Sequence, residues 1–298
     1  MVAERALILL ARAAAWLAVA IAASLPARAD SYLWEVSSLT NHVYLFGTVH
    51  AGRPEWYPLP VAVQNAYADS TVLVVEADIT NVVAMRKSTD AMTYKLPDTL
   101  KNHVSAEDYA RFVKLLPRYA IAEAQVAQLK PFIAVSLLVF AEWGRLGFRP
   151  DFGVDAYFIK KAKGDLKKIV EIEGIDEQIR LMDSLTDTET RQLFEGTLTA
   201  LESGLTNEQI TGMVGAWQFG DPNLMLEIAR RYNDQVPGAK EFEEKFIWSR
   251  HPEMLAKIED YLNHSKERHF IAVGALHLAG PRGLVELLRK RGYLVRQR

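Results

Sequence analysis

Short apolar runs typical of β-strands lie near both ends of the chain, whereas most of the middle has helical spacing. Strands are predicted at 32–36, 43–46, 72–75, 168–172, 269–273 and 293–296. Helical segments are predicted at 59–67, 98–143, 155–163, 175–185, 186–231, 241–262 and 283–291. The segment at 186–231 has breaks at Gly204 and Gly220. The chain is therefore predicted to have an α/β fold. Its N- and C-terminal β/α segments form a mixed central sheet, and a large, mostly helical insertion separates them.

Two short motifs at opposite ends of the chain resemble each other. The apolar run that ends at Gly47 is followed three residues later by His50, and the run that ends at Gly274 is followed three residues later by His277. A glycine at a tight turn and a histidine just past a strand end are a common way to aim an imidazole into a cleft. The repetition suggests two histidines that meet at one site.

Acidic residues follow two of the other predicted strands. Glu76 comes directly after a run of four apolar residues, and Glu173 closes the strand at 168–172. A carboxylate at the carboxyl end of a buried strand requires a cation, a metal or hydrogen bonds. Asp155 is interpreted as a helix cap, and Arg250, inside the helix predicted at 241–262, as an ordinary surface charge.

Composition and charge narrow the possible functions of the 298-residue chain. It is 49% hydrophobic with a formal net charge of −2, so no basic excess indicates nucleic-acid binding. It contains no cysteine, which excludes a disulfide framework, a thiol nucleophile and a thiolate metal site. Any bound metal must therefore be held by His, Asp or Glu side chains.

The first 29 residues have the pattern of a secretory signal peptide. Arg5 and Arg12 precede or flank a short apolar stretch at 13–23, and Ala27-Arg28-Ala29 provides an A-x-A cleavage site. We expect a periplasmic or secreted mature domain at 30–298, with an uncleaved membrane anchor as the alternative. No second apolar stretch of membrane length follows, so no stable membrane span is expected after cleavage.

Taken without any comparison, two histidines and two carboxylates at separate strand ends fit a hydrolytic site. They are suited to hold one divalent metal through nitrogen and oxygen ligands, with a position open for water. They are equally suited to activate water directly through a pair of one glutamate and one histidine. The residues alone leave both alternatives open.

The order of these motifs resembles that of the TraB/GumN family over residues 32–298. The matching features are the two Gly-x-x-His motifs, Glu76, Gly153-Val154-Asp155, Glu173-Gly174 with Gln178, Trp217 with Gly220-Asp221, and Gly283-Leu284 with Gly292-Tyr293. This family is similar to the membrane-tethered Tiki metalloproteases and is near the erythromycin esterases and the haem-binding ChaN-like proteins in fold. The resemblance implies that His50, His277 and Glu76 form the active site, with Glu173 and Arg250 as further site residues.

The leading hypothesis from this resemblance is a secreted or periplasmic metal-dependent hydrolase that acts on peptide bonds, a metallopeptidase, with a peptide or a small molecule as its substrate. His50, His277 and Glu76 hold zinc, manganese or cobalt, Glu76 or Glu173 is the general base, and Arg250 stabilises the oxyanion. A metal-independent esterase and a non-catalytic protein that binds haem or another ligand are the alternatives. The family usually has Arg-Asn where this chain has Arg250-His251, so no role is carried over to His251.

Overall fold

The computed structural model describes residues 31–298, so the predicted signal peptide at 1–29 lies outside the described residues. Six strands form one mixed sheet in the order β4-β3-β5-β2-β1-β6. Their bounds are β1 (Leu33–Ser37), β2 (His42–Thr48), β3 (Val72–Val75), β4 (Lys168–Glu171), β5 (His269–Gly274) and β6 (Leu294–Gln297). The α/β fold class and the mixed sheet predicted from the sequence are confirmed.

The sheet interleaves the two ends of the chain. β2, β3, β4 and β5 run parallel, and C-terminal β5 lies between N-terminal strands β3 and β2. β1 is antiparallel to both β2 and β6. The N-terminal and C-terminal segments therefore share one hydrogen-bonded sheet, as the pattern of apolar runs predicted.

Helices surround this sheet and form the insertion between β3 and β5. Their bounds are α1 (Val61–Asp69), α2 (Val82–Met92), α3 (Ala106–Leu115), α4 (Glu123–Val126), α5 (Pro131–Arg145), α6 (Val154–Gly164), α7 (Ile175–Asp183), α8 (Asp187–Ser203), α9 (Leu205–Gln218), α10 (Pro222–Asn233), α11 (Ala239–Phe246), α12 (His251–Asn263) and α13 (Leu284–Lys290). Between residues 31 and 298, no helix has both the length and the apolarity that crossing a membrane requires.

Four apolar clusters are buried in residues 31–298, and the two largest support the sheet and the helical insertion. The larger core surrounds the sheet and includes all of β3, whose four residues are buried, as expected for a strand covered on both faces. The smaller core lies within the helical insertion, where Phe112 of α3, Leu138 of α5 and Phe194 of α8 pack together. The helical insertion thus has an apolar core of its own, and its helices contribute to the lining of the cavity at the sheet edge.

The helix predicted at 241–262 is interrupted, which corrects the interpretation of Arg250. α11 ends at Phe246, a 3₁₀ turn covers Trp248–Arg250, and α12 begins at His251. Pro252 lies in the first turn of α12, where the missing N–H of proline costs no helical hydrogen bond. Arg250 therefore lies at a break between two helices rather than on the surface of one long helix.

Candidate active site

The carboxyl ends of the parallel strands bring the predicted site residues to one edge of the sheet. His50 follows β2, Glu76 follows β3, and Glu173 follows β4. His277 lies in the 3₁₀ turn that follows β5. Because parallel strands end at the same edge, residues that are far apart in sequence meet there.

The glycines of the two Gly-x-x-His motifs permit close packing at the edge of the sheet. β2 and β5 are paired in parallel with Thr48 opposite Gly274, so the motifs lie side by side. A Cβ on Gly47 would lie 2.3 Å from the ring of Tyr32, and one on Gly274 would lie 3.3 Å from a carboxylate oxygen of Glu76. Neither glycine has a positive φ. The expectation of a tight turn is corrected for Gly47, which lies within β2, whereas Gly274 ends β5 and begins the 3₁₀ turn that carries His277.

The guanidinium of Arg250 connects three of these site residues. Its Nε donates to Oε1 of Glu173 at 2.8 Å, and its Nη2 donates to Oε2 of Glu76 at 2.5 Å and to Oε2 of Glu173. Its Nη1 donates to Nε2 of His277 at 3.0 Å and to the carbonyl of Phe246 at 2.8 Å. The break between α11 and α12 is what allows this side chain to reach the sheet edge.

The positive charge of Arg250 and the carboxylates of Glu76 and Glu173 shift one another's pKa values. Burial alone would raise the pKa of Glu76. Neighbouring groups outweigh burial and lower that pKa to about 2, namely His277, Arg250, His50 and the N–H of Gly274. Burial raises the pKa of Glu173 above its ordinary value in spite of the bonds from Arg250. Burial also opposes the charge of Arg250, but its two carboxylate partners raise its pKa. Glu76 is thus held ionised against a permanent cation.

A chain of buried hydrogen bonds fixes the orientation of His277. Nδ1 of His251 donates to the carbonyl of Arg282 at 2.7 Å, because a carbonyl only accepts. Nε2 of His251 then accepts from Nδ1 of His277 at 2.9 Å, which leaves Nε2 of His277 to accept from Arg250. Burial lowers the pKa of His277 to about 3 and that of His251 to about 4, so both imidazoles are neutral at pH 7.

His50 belongs to a second, more exposed hydrogen-bond group. Its Nδ1 lies 2.9 Å from Oδ2 of Asp155, whose Oδ1 accepts from the hydroxyl of Thr48 at 2.5 Å. The negative charge of Asp155 raises the pKa of His50 above its ordinary value. The side chain of His50 is 63% exposed, so its other ring nitrogen is accessible to a water or a substrate.

A cavity of about 760 Å³ opens onto this edge of the sheet. His50, Glu76, Asp155 and Arg250 form one end of its lining. Glu173 is not part of the lining, and its side chain is only 4% exposed. A cavity of this size with a few convergent polar groups is typical of sites for small ligands. The cavity is therefore the candidate active site.

The predicted metal ligands do not fit a divalent ion in this arrangement. Nε2 of His277 and Oε2 of Glu76 both accept hydrogen bonds from Arg250, so the guanidinium already supplies the positive charge between them. Across residues 31–298, no group of three or more His, Asp or Glu side chains is arranged to hold a metal ion. A metal and the Arg250 guanidinium would compete for the same donor atoms.

Sequence reasoning did not assign a site role to two residues that contact the predicted ones. Asp155 was interpreted as a helix cap, but Gly153 is the N-cap of α6, and the Asp155 carboxylate instead bonds His50 and Thr48. The contact of His251 with His277 has no signal in the sequence, because no strand end or repeated motif places His251 at the sheet edge. Pro252 could have predicted that a helix begins near His251, because proline is common in the first turn of a helix. Arg250 directly precedes that start.

Comparison with known proteins identifies a family and several distant relatives. A sequence model of the TraB/PrgY/gumN family matches residues 32–297. "Uncharacterized protein YbaP" of Escherichia coli (strain K12) is 24% identical over 271 residues, which cover 88% of this chain and 95% of that protein. No solved structure matches the chain.

Other relatives are named metalloproteases. "Metalloprotease TIKI homolog" of Amphimedon queenslandica is 23% identical over 318 residues, covering 89% of this chain and 61% of that protein. "Metalloprotease TIKI2" of Danio rerio is 20% identical over 313 residues, covering 89% of this chain and 60% of that protein. The chain thus spans about 60% of these longer relatives, at low identity.

Proposed function

The chain belongs to the TraB/PrgY/gumN family, and from this premise we propose that it is a hydrolase that cleaves a peptide bond in the cavity. The observation that carries the proposal is the convergence of the His50–Asp155 pair and the Arg250 cation at one end of that cavity. The names of the Tiki relatives, which describe metalloproteases, support peptide hydrolysis as the reaction class.

We assign the general base to His50. Asp155 raises the pKa of His50 to about 9, so the imidazole is mainly protonated at neutral pH, and its neutral, basic form becomes dominant in alkaline solution. In that form its Nδ1–H donates to Asp155, which leaves Nε2 to accept a proton from a water molecule that attacks the substrate carbonyl. Asp155 holds the imidazole in this tautomer and stabilises the imidazolium that forms, as the carboxylate of a catalytic triad does. Glu76 is a weak base because its pKa is about 2, and Glu173 does not line the cavity.

Arg250 is assigned to the stabilisation of negative charge on the carbonyl oxygen. Glu76 and Glu173 hold its guanidinium in place before the substrate arrives. All five N–H groups of the guanidinium already donate within the protein, so a direct hydrogen bond to the carbonyl oxygen requires one N–H to leave its present partner. The permanent charge of arginine makes this role independent of pH over the physiological range.

A metal-dependent form of the same reaction is the second candidate, and the names of the Tiki relatives favour it. No step of the reaction above passes through a metal, because Arg250 occupies donor atoms of His277 and Glu76. The two candidates differ in one measurement. Activity of the leading candidate survives EDTA, whereas the second requires that EDTA abolish activity and that zinc, manganese or cobalt restore it.

The proposal is tested by incubating the mature protein with a mixture of blocked peptides and detecting cleavage by mass spectrometry. We expect His50→Ala to lower the cleavage rate by about 10²–10⁴-fold. The matched control is His264→Ala, because His264 is exposed directly after the end of α12 and its side chain forms a hydrogen bond with the exposed Asp260. Cleavage that His50→Ala leaves unchanged contradicts the proposal.

The pH dependence of the cleavage rate provides an independent test. A histidine base acts only when neutral, and Asp155 raises the pKa of His50, so the rate should rise with pH through that raised pKa. Asp155→Asn removes the charge that raises the pKa. We therefore expect the inflection of this variant to move to lower pH, in addition to a loss of rate. An inflection that does not move means that His50 is not the base.

A further inference from the structure

The cavity has two chemically different parts. Its charged end consists of His50, Glu76, Asp155 and Arg250 at the edge of the sheet. Most of the remaining lining comes from helices of the insertion and is apolar. Glu243 of α11 and a few polar side chains interrupt this apolar lining. A substrate that occupies the whole cavity therefore meets catalytic groups at one end and mainly hydrocarbon surface over the rest.

Three phenylalanines form the most extensive part of this apolar wall. Phe132 of α5 packs against Phe242 and Phe246 of α11, with ring centroids 5.7 Å and 5.3 Å apart. The rings of Phe242 and Phe246 are stacked at 4.4 Å. All three side chains line the cavity. Because α11 ends directly before the turn that carries Arg250, this wall adjoins the charged end.

Apolar surface also continues from the cavity to solvent. Ile79 and Phe140 both line the cavity, and they remain 45% and 43% exposed. Val139, one turn of α5 beyond Val135, lines the same side. An apolar chain entering from solvent would thus stay in contact with hydrocarbon side chains along its path. Exposed apolar surface that is continuous with a cavity is typical of binding sites.

From this lining we infer that the cavity selects peptides with aliphatic or aromatic side chains on one side of the cleaved bond. The inference rests on the proposed function for its choice of a peptide. The reacting carbonyl lies between His50 and Arg250, and the apolar side chains lie against Phe132, Phe242 and Phe246. A peptide with polar side chains at the same positions would lose hydration at this wall without gaining hydrogen bonds.

The test measures binding separately from cleavage. Two blocked hexapeptides of equal length and charge serve as probes, acetyl-Lys-Ala-Leu-Phe-Leu-Ala-amide and acetyl-Lys-Ala-Ser-Asn-Ser-Ala-amide. Their affinities are measured by calorimetry with the His50→Ala protein, in which turnover is strongly slowed. Because one methylene group in an apolar pocket is worth about 10-fold or more, we expect the apolar peptide to bind at least about 10-fold more tightly.

Variants of the wall connect this preference to the cavity. Phe132→Ser and Phe242→Ser should abolish most of the preference, and Val139→Thr, which keeps the side-chain shape, should reduce it without disturbing the fold. The matched control is Phe219→Ser, because Phe219 is 68% exposed and lies outside this cavity. Circular dichroism identifies any variant that does not fold, and Val139→Thr then carries the test.

The outcomes separate this inference from the proposed function. Equal affinity for the two peptides, or a preference that the folded wall variants retain, overturns the inference even if the protein cleaves peptides. Loss of the preference for the apolar peptide in the wall variants supports the inference, whether or not the protein cleaves peptides. If the preference depends on the wall but no cleavage is found, only the hydrolase proposal fails.

Discussion

The guanidinium of Arg250 bonds residues that lie 174, 77 and 27 positions away in the sequence. Its five donors lie in a rigid plane, which suits two carboxylates and an imidazole better than the single ammonium of lysine does. The sequence predicted that Glu76, Glu173 and His277 share a site with it, but not which atoms bond. Hydrogen-bond partners depend on side-chain positions that only the folded chain determines.

At the same scale, His251 connects two other groups of the site. Its ring bridges Nδ1 of His277 and the carbonyl of Arg282, so it determines which nitrogen of His277 faces Arg250. The exposed histidine His264 makes no comparable contact, since its hydrogen bond is to the exposed Asp260. The two histidines therefore form a matched pair for testing whether His251 orients the site.

We expect His251→Phe to leave the Nδ1–H of His277 without an acceptor, which should cost about 1–3 kcal/mol of unfolding free energy. The ¹⁵N shifts of the His277 ring should report a change of tautomer, and cleavage should slow. His251→Gln, which keeps an acceptor near the position of Nε2, should restore part of both properties. The control His264→Phe should change neither. If His251→Phe keeps the wild-type tautomer and rate, His251 only fills space.

At the scale of secondary structure, the positions of strands were predictable to within about two residues. β3, for example, was predicted at 72–75 and observed as Val72–Val75, because four consecutive apolar residues suit only a strand buried on both faces. The helix predicted at 241–262 was wrong in its continuity, since α11 ends at Phe246 and α12 begins at His251. Apolar spacing alone does not reveal such a break.

Gly47 of β2 and Gly144 of α5 differ in how closely other elements pack against them. Gly47 of β2 contacts the ring of Tyr32, and the backbone of Ala275 is 3.0 Å from the position of an added Cβ. Gly144, near the end of α5, has no atom within 4 Å of that position. These two glycines differ in surroundings and provide a matched comparison.

Gly47→Ala should lower the free energy of unfolding by about 1–3 kcal/mol, because its methyl group overpacks the buried Tyr32 ring. Gly144→Ala should raise the free energy of unfolding by about 0.5–1 kcal/mol, because alanine restricts the unfolded chain and favours the helix. Urea denaturation measures both. Equal effects of the same sign would mean that packing against Tyr32 does not restrict position 47.

At the scale of the whole molecule, the sheet joins both ends of the chain. β5 lies between β3 and β2, whereas β6 is at the edge and pairs only with β1. β5 therefore supports the parallel strands that carry His50 and Glu76, and it leads into His277. The active-site edge exists only when the C-terminal segment is in place.

A chain that ends at Asn263 lacks β5, and we expect it to show no cooperative unfolding transition because β2 and β3 lose their shared neighbour. A chain that ends at Gly292 lacks only β6 and should unfold cooperatively at a lower denaturant concentration. Circular dichroism in urea distinguishes the two. Cooperative unfolding of the shorter chain would show that the sheet does not depend on β5.

The sequence by itself determined the α/β class, the shared sheet and the edge at which His50, Glu76, Glu173 and His277 meet. Periodicity and parallel strand ends depend on local pattern and on general rules of chain topology. Only the tertiary structure decided which atoms of Arg250 bond these residues and that Asp155 and His251 orient the two histidines. The reason is physical, because each of these hydrogen bonds joins segments that approach only after the helical insertion packs against the sheet.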